Sequence, residues 1–312
     1  MATAFELAGR RVFVAGDRGM VGQALLRRLA REDCTVLTAP RALDLRDQAA
    51  THTWFRENQP DVAVIAAGKV GGIMANAAAP ATFLYDNLLI ATNTIEAARQ
   101  ACVAKLLYLG SSCIFPRDAA QPMREDALLT GPLEPTNEGY ALAKIAGVRL
   151  CAFYRREHGC DFISAMPTNL YGPGDNYDPT GSHVLPALIR KAHEAKVDGA
   201  PVMTVWGTGR ALREFLHVDD LADACVFLVR NYSGEAHVNV GSGEEHSIGD
   251  LARLVAEVVG FAGRIAFDTT KPDGAPRKLL DCTVVGTLGW RASKTLRQGI
   301  AHAYADYLAR IL

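Results

Sequence analysis

Arg11-Val12-Phe13-Val14-Ala15-Gly16-Asp17-Arg18-Gly19-Met20-Val21-Gly22 is the stretch whose reading decides the fold. Its first half is a short apolar run that reads as a buried strand, and residues 23–31 continue as an amphipathic helix. Between them stand glycines at 16, 19 and 22. Such glycines give a tight turn, let backbone approach a phosphate, and bring helix and strand close together. The freed amides at the helix start suit a pyrophosphate. A glycine-rich βα turn without a ligand would look similar, but strand, glycines and helix come here in the order a nucleotide site needs. The spacing is G-x-x-G-x-x-G, not the commoner G-x-G-x-x-G.

Working outward, the same rhythm repeats. Strands are expected at 34–38, 61–67, 105–110 and 161–166, with helices at 47–58, 81–101 and from about 138 to 158. Strand–helix alternation of this kind is an α/β fold with a doubly wound parallel sheet. After Tyr171 glycine and proline cluster, and the expected strands (203–206, 237–240, 264–267) shorten. Helices are expected at 183–195, 219–229, 248–258 and 294–309, the third opened by a capping pair, Ser247 and Asp250. This half reads as a smaller C-terminal α/β lobe. The expected division is 1–170 plus about 214–240 for the nucleotide-binding domain, and 171–213 plus about 241–312 for the lobe.

Composition narrows the function classes. Lys and Arg number 33 against 34 Asp and Glu, in 312 residues that are 49% apolar. That balance gives no reason to expect a nucleic-acid binder or a disordered tail. No apolar run is long enough for a membrane span, and no N-terminal stretch reads as a secretion signal, so the cytoplasm is the expected compartment. The seven cysteines are scattered without a Cys-x-x-Cys pair, which argues against a disulfide framework and against zinc; six are expected to be small buried residues.

The chemistry gathers at strand ends. The second strand ends in Thr38-Ala39-Pro40-Arg41 with no carboxylate to take a ribose 2′-hydroxyl. Arg41 and Arg18 suit a 2′-phosphate instead, which leans toward NADP; two solvated arginines are the plainer alternative. Asp44 and Leu45 follow where an adenine edge is met. The third strand runs into Gly68-Lys69-Val70-Gly71-Gly72, and Asn87 and Asn93 beyond it read as loop anchors. Leu109-Gly110-Ser111-Ser112-Cys113 closes the fourth strand where open α/β sheets bind ligands. Tyr140 and Lys144 stand one helical turn apart on one face. An ammonium there favours the phenolate, and the phenol can protonate a developing alkoxide. Alone, that pair arises by chance in many helices.

In this order the glycine loop, Ser111 and Tyr140-x-x-x-Lys144 resemble the extended short-chain dehydrogenase/reductase family of nucleotide-sugar enzymes. The resemblance implies that Ser111 and Tyr140 hydrogen-bond a sugar oxygen, and that Lys144 binds the nicotinamide ribose and lowers the tyrosine pKa. Longer stretches are similar to those members that act on GDP-4-keto-6-deoxy-D-mannose. Among them are Ser111-Ser112-Cys113-Ile114-Phe115-Pro116, Pro167-Thr168-Asn169-Leu170-Tyr171-Gly172, Arg213-Glu214-Phe215-Leu216-His217-Val218-Asp219-Asp220 and Lys271-Pro272-Asp273-Gly274. The implied reaction inverts C3 and C5, then reduces the C4 ketone with NADPH. It also gives Cys113 and His183, in Ser182-His183-Val184-Leu185-Pro186, the acid–base work of the epimerisation. Read without the family, they are a buried cysteine and a helix-capping histidine.

By the same resemblance the cofactor would be held by Gly16, Asp17, Arg18, Gly19, Met20, Val21 and Gly22, by Arg41, Asp44 and Leu45, and by Leu109, Gly110, Ser111 and Ser112. Lys144, Pro167, Thr168, Asn169, Leu170 and His183 would complete its site. Lys191, Trp206, Arg213 and Asp273 would contact the GDP-sugar, with lysine at 191 where the family often has arginine. A homodimer through a helix bundle is implied as well. Two other readings stand beside this one: a 4-epimerase or 4,6-dehydratase with tightly bound NAD, and a non-catalytic nucleotide-sensing module.

Overall fold

Val12, Phe13, Val14 and Ala15 are all fully buried, the pattern of a strand covered on both faces. In the computed structural model, which describes residues 4–179, 181–271 and 273–311, they form β1 (Arg10–Ala15). The chain continues through α1 (Met20–Leu29), β2 (Cys34–Thr38), α2 (Gln48–Asn58) and β3 (Val62–Ile65). Two helices follow, α3 (Ile73–Ala78) and α4 (Pro80–Gln100), then β4 (Lys105–Leu109), α5 (Glu138–His158) and β5 (Phe162–Pro167). The remainder comprises β6 (Asn169–Tyr171), α6 (Val184–Val197), β7 (Val202–Trp206), β8 (Leu212–His217), α7 (Val218–Asn231) and β9 (Val238–Val240). Last come β10 (Glu245–Ser247), α8 (Ile248–Val259), β11 (Arg264–Asp268), β12 (Arg277–Lys278), α9 (Thr283–Leu288) and α10 (Leu296–Ile311).

The expected doubly wound sheet is present, parallel throughout, in the order β2-β1-β3-β4-β5-β9. Alternation along β1 splits its side chains between two cores. Val12 and Val14 pack with Leu25, Ile163, Leu221 and Leu228 beneath α1 and α7. Phe13 and Ala15 pack with Phe55, Ile95, Leu106 and Tyr108 beneath α2, α4 and α5. Each such side chain contributes about 1.5–3 kcal/mol by leaving water. A third core, with Leu185, Ile189, Met203, Leu251, Val255, Ile300 and Tyr307, lies under α6, α8 and α10. The 3.6-residue pattern of α8 is capped as expected, since Ser247 Oγ accepts the Asp250 amide at 3.0 Å.

The chain steps from β1 to β2 in one direction and then crosses to β3 on the other side. Ligand sites in such sheets open at that switch, outside the strands' carboxyl ends. The short strands β6, β8, β10 and β12 were not anticipated. They are two to six residues long and carry mixed polar sequence. Their pairing comes from tertiary contacts, not from a local period. The cysteines differ from expectation too: only Cys151 and Cys225 are buried, and Cys102 is exposed at φ 55°.

Candidate active site

At the switch point, Gly16 turns the chain at φ 88°, in the left-handed region that glycine tolerates. A Cβ there would meet the Ala67 backbone at 2.8 Å, and one on Gly22 would lie 2.0 Å from the Gly16 carbonyl oxygen. These two glycines are demanded by the protein's own packing. Gly19 is different: its nearest neighbour would be the Gly16 oxygen at 3.5 Å. It caps α1 with no side-chain hydrogen bond to the first-turn amides. The protein leaves that helix end open and uncrowded, which fits a pyrophosphate. Arg18 reaches the end of β2 and donates to the Ala39 carbonyl at 3.3 Å, and Arg41 is exposed beside it. Among the described residues neither guanidinium has a carboxylate partner, so both suit a 2′-phosphate. Asp44 is held below the usual carboxylate range by its hydrogen bonds with Arg46. Arg46 also reaches Asp86, which takes Lys69 at 3.1 Å. Asn87 fixes the Lys69 backbone at both amide and carbonyl, and Asn93 takes the Leu45 and Arg46 carbonyls. Both asparagines anchor loops.

Ser111 sits where β4 ends. Gly110 before it leaves room for Met166, whose sulfur would lie 2.3 Å from an added Cβ. Ser111 is extended (φ −163°) and its hydroxyl accepts the Cys113 amide at 3.3 Å. This ties the Cys113 backbone to the Ser111 hydroxyl. Opposite them, α5 begins at Glu138, and Gly139 lets it come against the start of α4, where a Cβ would be 2.6 Å from the Pro80 oxygen. Tyr140 follows on that first turn. Burial raises its phenol well above the ordinary value, nearby Cys113 raises it further, and a hydrogen bond with Ser111 opposes both. One expectation changes here. Lys144 lies against the face of the Tyr140 ring, 5.8 Å from its centroid, and donates to the Leu109 carbonyl at 2.9 Å. It therefore does not offset the burial of the phenol. Burial lowers Lys144 itself to about 8, which leaves it cationic at neutral pH.

His183 stands at the start of α6 but makes no side-chain capping bond, so the capping reading fails, and among the described residues its imidazole has no hydrogen-bond partner. The ring has exposed surface, yet the protein around it displaces enough water to lower its pKa. The loop that carries it lies against the loop after β3. A Cβ on Gly72 would be 3.4 Å from the carbonyl oxygens of Gly181 and Ser182. Pro167 ends β5, Thr168 donates to the Glu214 carbonyl, and so does Asn169, at 2.8 Å. Leu170 packs into the first core.

Further out, the Lys191 ammonium lies 4.9 Å from the centroid of the exposed Trp206 ring and donates to the Thr204 carbonyl. Burial lowers Arg213, with Asp273 opposing. Asp273 accepts from both the amide and the hydroxyl of Thr208, at 2.6 and 2.7 Å, so its carboxylate pins the 207–209 turn. Pro272 of that motif lies outside the described residues. Sequence reasoning missed Lys271, whose ammonium is 5.7 Å from the same Trp206 ring; its place beside the Lys-Pro-Asp-Gly turn was the available signal. A cleft of about 570 Å³ between α6 and α10, lined by Asp175, Tyr177, Arg190, His193 and Arg310, contains none of the expected site residues. His217, Asp219 and His302 bring possible metal donors within 4.8 Å. However, His217 Nδ1 already accepts the Asp219 amide at 3.1 Å, which makes it a helix cap.

The model of the NAD dependent epimerase/dehydratase family matches residues 12–241. GDP-L-fucose synthase 1 of Arabidopsis thaliana is 56% identical over 303 residues, covering 96% of this chain and 94% of that one. GDP-L-fucose synthase of Sinorhizobium fredii is 53% identical over 308 residues, 98% of each chain. Among solved structures, a GDP-L-fucose synthetase from Naegleria fowleri bound to NADP superposes with a TM-score of 0.91 at 27% identity, over 100% of this chain and 98% of that one. The chain belongs to the NAD dependent epimerase/dehydratase family, within which the GDP-L-fucose synthases resemble it over nearly its whole length.

Proposed function

We propose that the protein inverts C3 and C5 of GDP-4-keto-6-deoxy-D-mannose and then reduces its C4 ketone with NADPH, giving GDP-L-fucose. The observation that carries this reading is the grouping of two kinds of acid–base group at the end of β4. The Ser111 hydroxyl holds the Cys113 amide at 3.3 Å, while Tyr140 feels both of them. A simple reductase needs Ser111, Tyr140 and Lys144 but has no use for a thiol there.

C3 and C5 both flank the ketone, so each proton can leave once O4 is polarised. Ser111 and Tyr140 donate hydrogen bonds to O4 and carry the enolate charge. Cys113 and His183 share the proton transfers, one removing a proton and the other returning one to the opposite face. Above its lowered pKa the His183 imidazole is neutral, with a ring nitrogen free to accept. NADPH, when bound there, would supply hydride to C4. Tyr140, whose proton is tightly held, then protonates the alkoxide, and Lys144 keeps positive charge beneath it. Gly16 to Gly22, Arg18, Arg41, Lys144 and the 167–170 segment hold the dinucleotide. Lys191, Trp206 and Arg213 hold the GDP, with Asp273 setting the turn above Arg213. The domain division given above, a cytoplasmic location and a homodimer belong to the same proposal. Tyr85, Leu142 and Phe153 stand exposed on α4 and α5 at 64%, 42% and 44%, a face suited to a second copy of this chain.

The test is incubation with GDP-4-keto-6-deoxy-D-mannose and either NADPH or NADH, with the product sugar identified by NMR. A C4-reduced sugar that keeps its original C3 and C5 configurations, or turnover without nicotinamide oxidation, overturns the reading.

A further inference from the structure

Lys144 is 5% exposed. Among the described residues no carboxylate pairs with it. Its ammonium has one strong hydrogen bond, to the Leu109 carbonyl at 2.9 Å. Two ring faces also stand near it. Tyr140 lies 5.8 Å away, on its own helix, and Tyr108 lies 5.0 Å away, from the strand beneath. Burial without a counterion drives an ammonium toward its neutral form, so something must hold the charge. An aromatic face does this in a dry site through its quadrupole.

Tyr108 is 1% exposed and lies in a core of Phe13, Ile65, Ile95 and Leu106. It is also the reason for a glycine in the middle of α5. A Cβ on Gly147 would lie 2.4 Å from Tyr108 Cζ and 2.6 Å from its hydroxyl oxygen. Glycine inside a helix is unfavourable relative to alanine, and here it lets the helix close over this ring. The ring is thereby pinned between α5 and β4, face toward Lys144.

We propose that Tyr108 is a positioning residue for the hydride-transfer site: its ring face keeps the Lys144 ammonium charged and in place beneath Tyr140. This rests on the reading of Tyr140 and Lys144 given above. The other titratable groups around the pair are few. Tyr140 and Cys151 come from α5, Cys113 from the turn after β4, and Lys69 from the loop after β3, where its side chain is committed to Asp86. A Cβ added to Gly68, on the loop after β3, would lie 3.5 Å from Lys144 Nζ and 3.0 Å from Asn87 Oδ1, so the groups that approach from that side are uncharged. None of these is a carboxylate. The phenol oxygen of Tyr108 has no part in the proposal; its π face does.

The test reads Lys144 directly. ¹⁵N-lysine NMR titration, with the Lys144 signal assigned by its loss in Lys144→Met, gives its pKa without any turnover. Tyr108→Phe is expected to keep the wild-type midpoint. Tyr108→Leu is expected to move it toward acid by about one pH unit, the size of a desolvated cation–π contact. The high-pH limb of kcat/KM for reduction should shift equally, with NADPH binding at pH 6.5 unchanged. If Tyr108→Leu fails to fold, pentafluorophenylalanine at position 108 keeps the shape and reverses the face's polarity, with the same expected shift. An unmoved Lys144 midpoint in the variant without a negative ring face overturns the proposal. Wild-type protein that shows the titration but reduces no GDP-4-keto-sugar overturns the functional reading instead.

Discussion

Gly19 and Gly22 are one helical turn apart, yet the structure assigns them opposite liabilities. At Gly22 an added methyl would sit 2.0 Å from the Gly16 oxygen and 2.6 Å from Asp17 Cα. Both are backbone atoms, so the turn must move by more than an ångström. Overpacking of that kind costs about 1–3 kcal/mol, against a gain of about 1 kcal/mol from replacing a helical glycine. The clash is with backbone, so the upper end applies and Gly22→Ala should lose about 2 kcal/mol. At roughly 2–4 °C per kcal/mol for a large domain, the melting temperature falls by about 6 °C. At Gly19 φ is −77° and the nearest atom to an added methyl is at 3.5 Å. An alanine cap costs under about 1 kcal/mol, so Gly19→Ala should melt within about 3 °C of wild type. Its methyl would stand where the pyrophosphate approaches the amides, and NADPH should bind about tenfold more weakly, or about 1.4 kcal/mol. Differential scanning fluorimetry and titration of NADPH fluorescence measure the two quantities. Gly19→Ala with a Kd within twofold of wild type would refute the assignment of that turn to the cofactor. Gly22→Ala with an unchanged melting temperature would refute the packing argument.

Four further outcomes follow from the site. Cys113→Ser should abolish solvent deuterium entry at C3 and C5 while leaving the reduction machinery able to oxidise NADPH with a pre-epimerised sugar; undiminished deuterium entry removes the thiol from its role. Arg18→Ala combined with Arg41→Ala should weaken NADPH about a hundredfold and NADH hardly at all, as two charge-assisted contacts to one phosphate predict; equal loss for both cofactors counts against it. Asp175 is pushed up to about 7 by burial. Its folded pKa lies above its unfolded one, so the native state binds the extra proton and stability falls as pH rises from about 4 to 7. Asp175→Asn should therefore gain several degrees on wild type at pH 8 and little at pH 5, and a pH-independent difference would contradict this. Leu142→Glu with Phe153→Glu should convert a dimer to a monomer in light scattering; a wild-type monomer sinks that surface.

The nucleotide half was legible because its signals are local. Four buried residues in a row, a glycine-marked turn and an amphipathic helix recur with little interference, and the sheet order follows from the handedness of the crossovers. Asn87 and Asn93 could be read as anchors because polar residues in a long helix need backbone partners when buried, and they have them. The short strands of the second half were not legible. Leu212–His217 reads as mixed polar and apolar sequence and becomes a strand because β6, β10 and β12 pair with it. Within it Glu214, fully buried, accepts the Gly243 and Leu280 amides. No period announces a carboxylate that stitches two loops to a strand.

The proposed catalytic pair, Tyr140 and Lys144, was found by spacing, but spacing misjudged its electrostatics. Four residues on a helix do bring a lysine beneath a tyrosine, and the inference that the ammonium draws down the phenol treats the two as if nothing else were near. In the fold both are dry. Desolvation raises the phenol and lowers the amine, which pushes their proton affinities apart, and the lysine's hydrogen bond goes to Leu109. An acid that holds its proton firmly is what O4 needs at the end of the reaction, since an alkoxide is a far stronger base than a phenolate. A phenol already ionised would repel the enolate that the two epimerisation steps place on O4. A tyrosine kept protonated by burial serves all three steps: hydrogen-bond donor twice, and proton donor once.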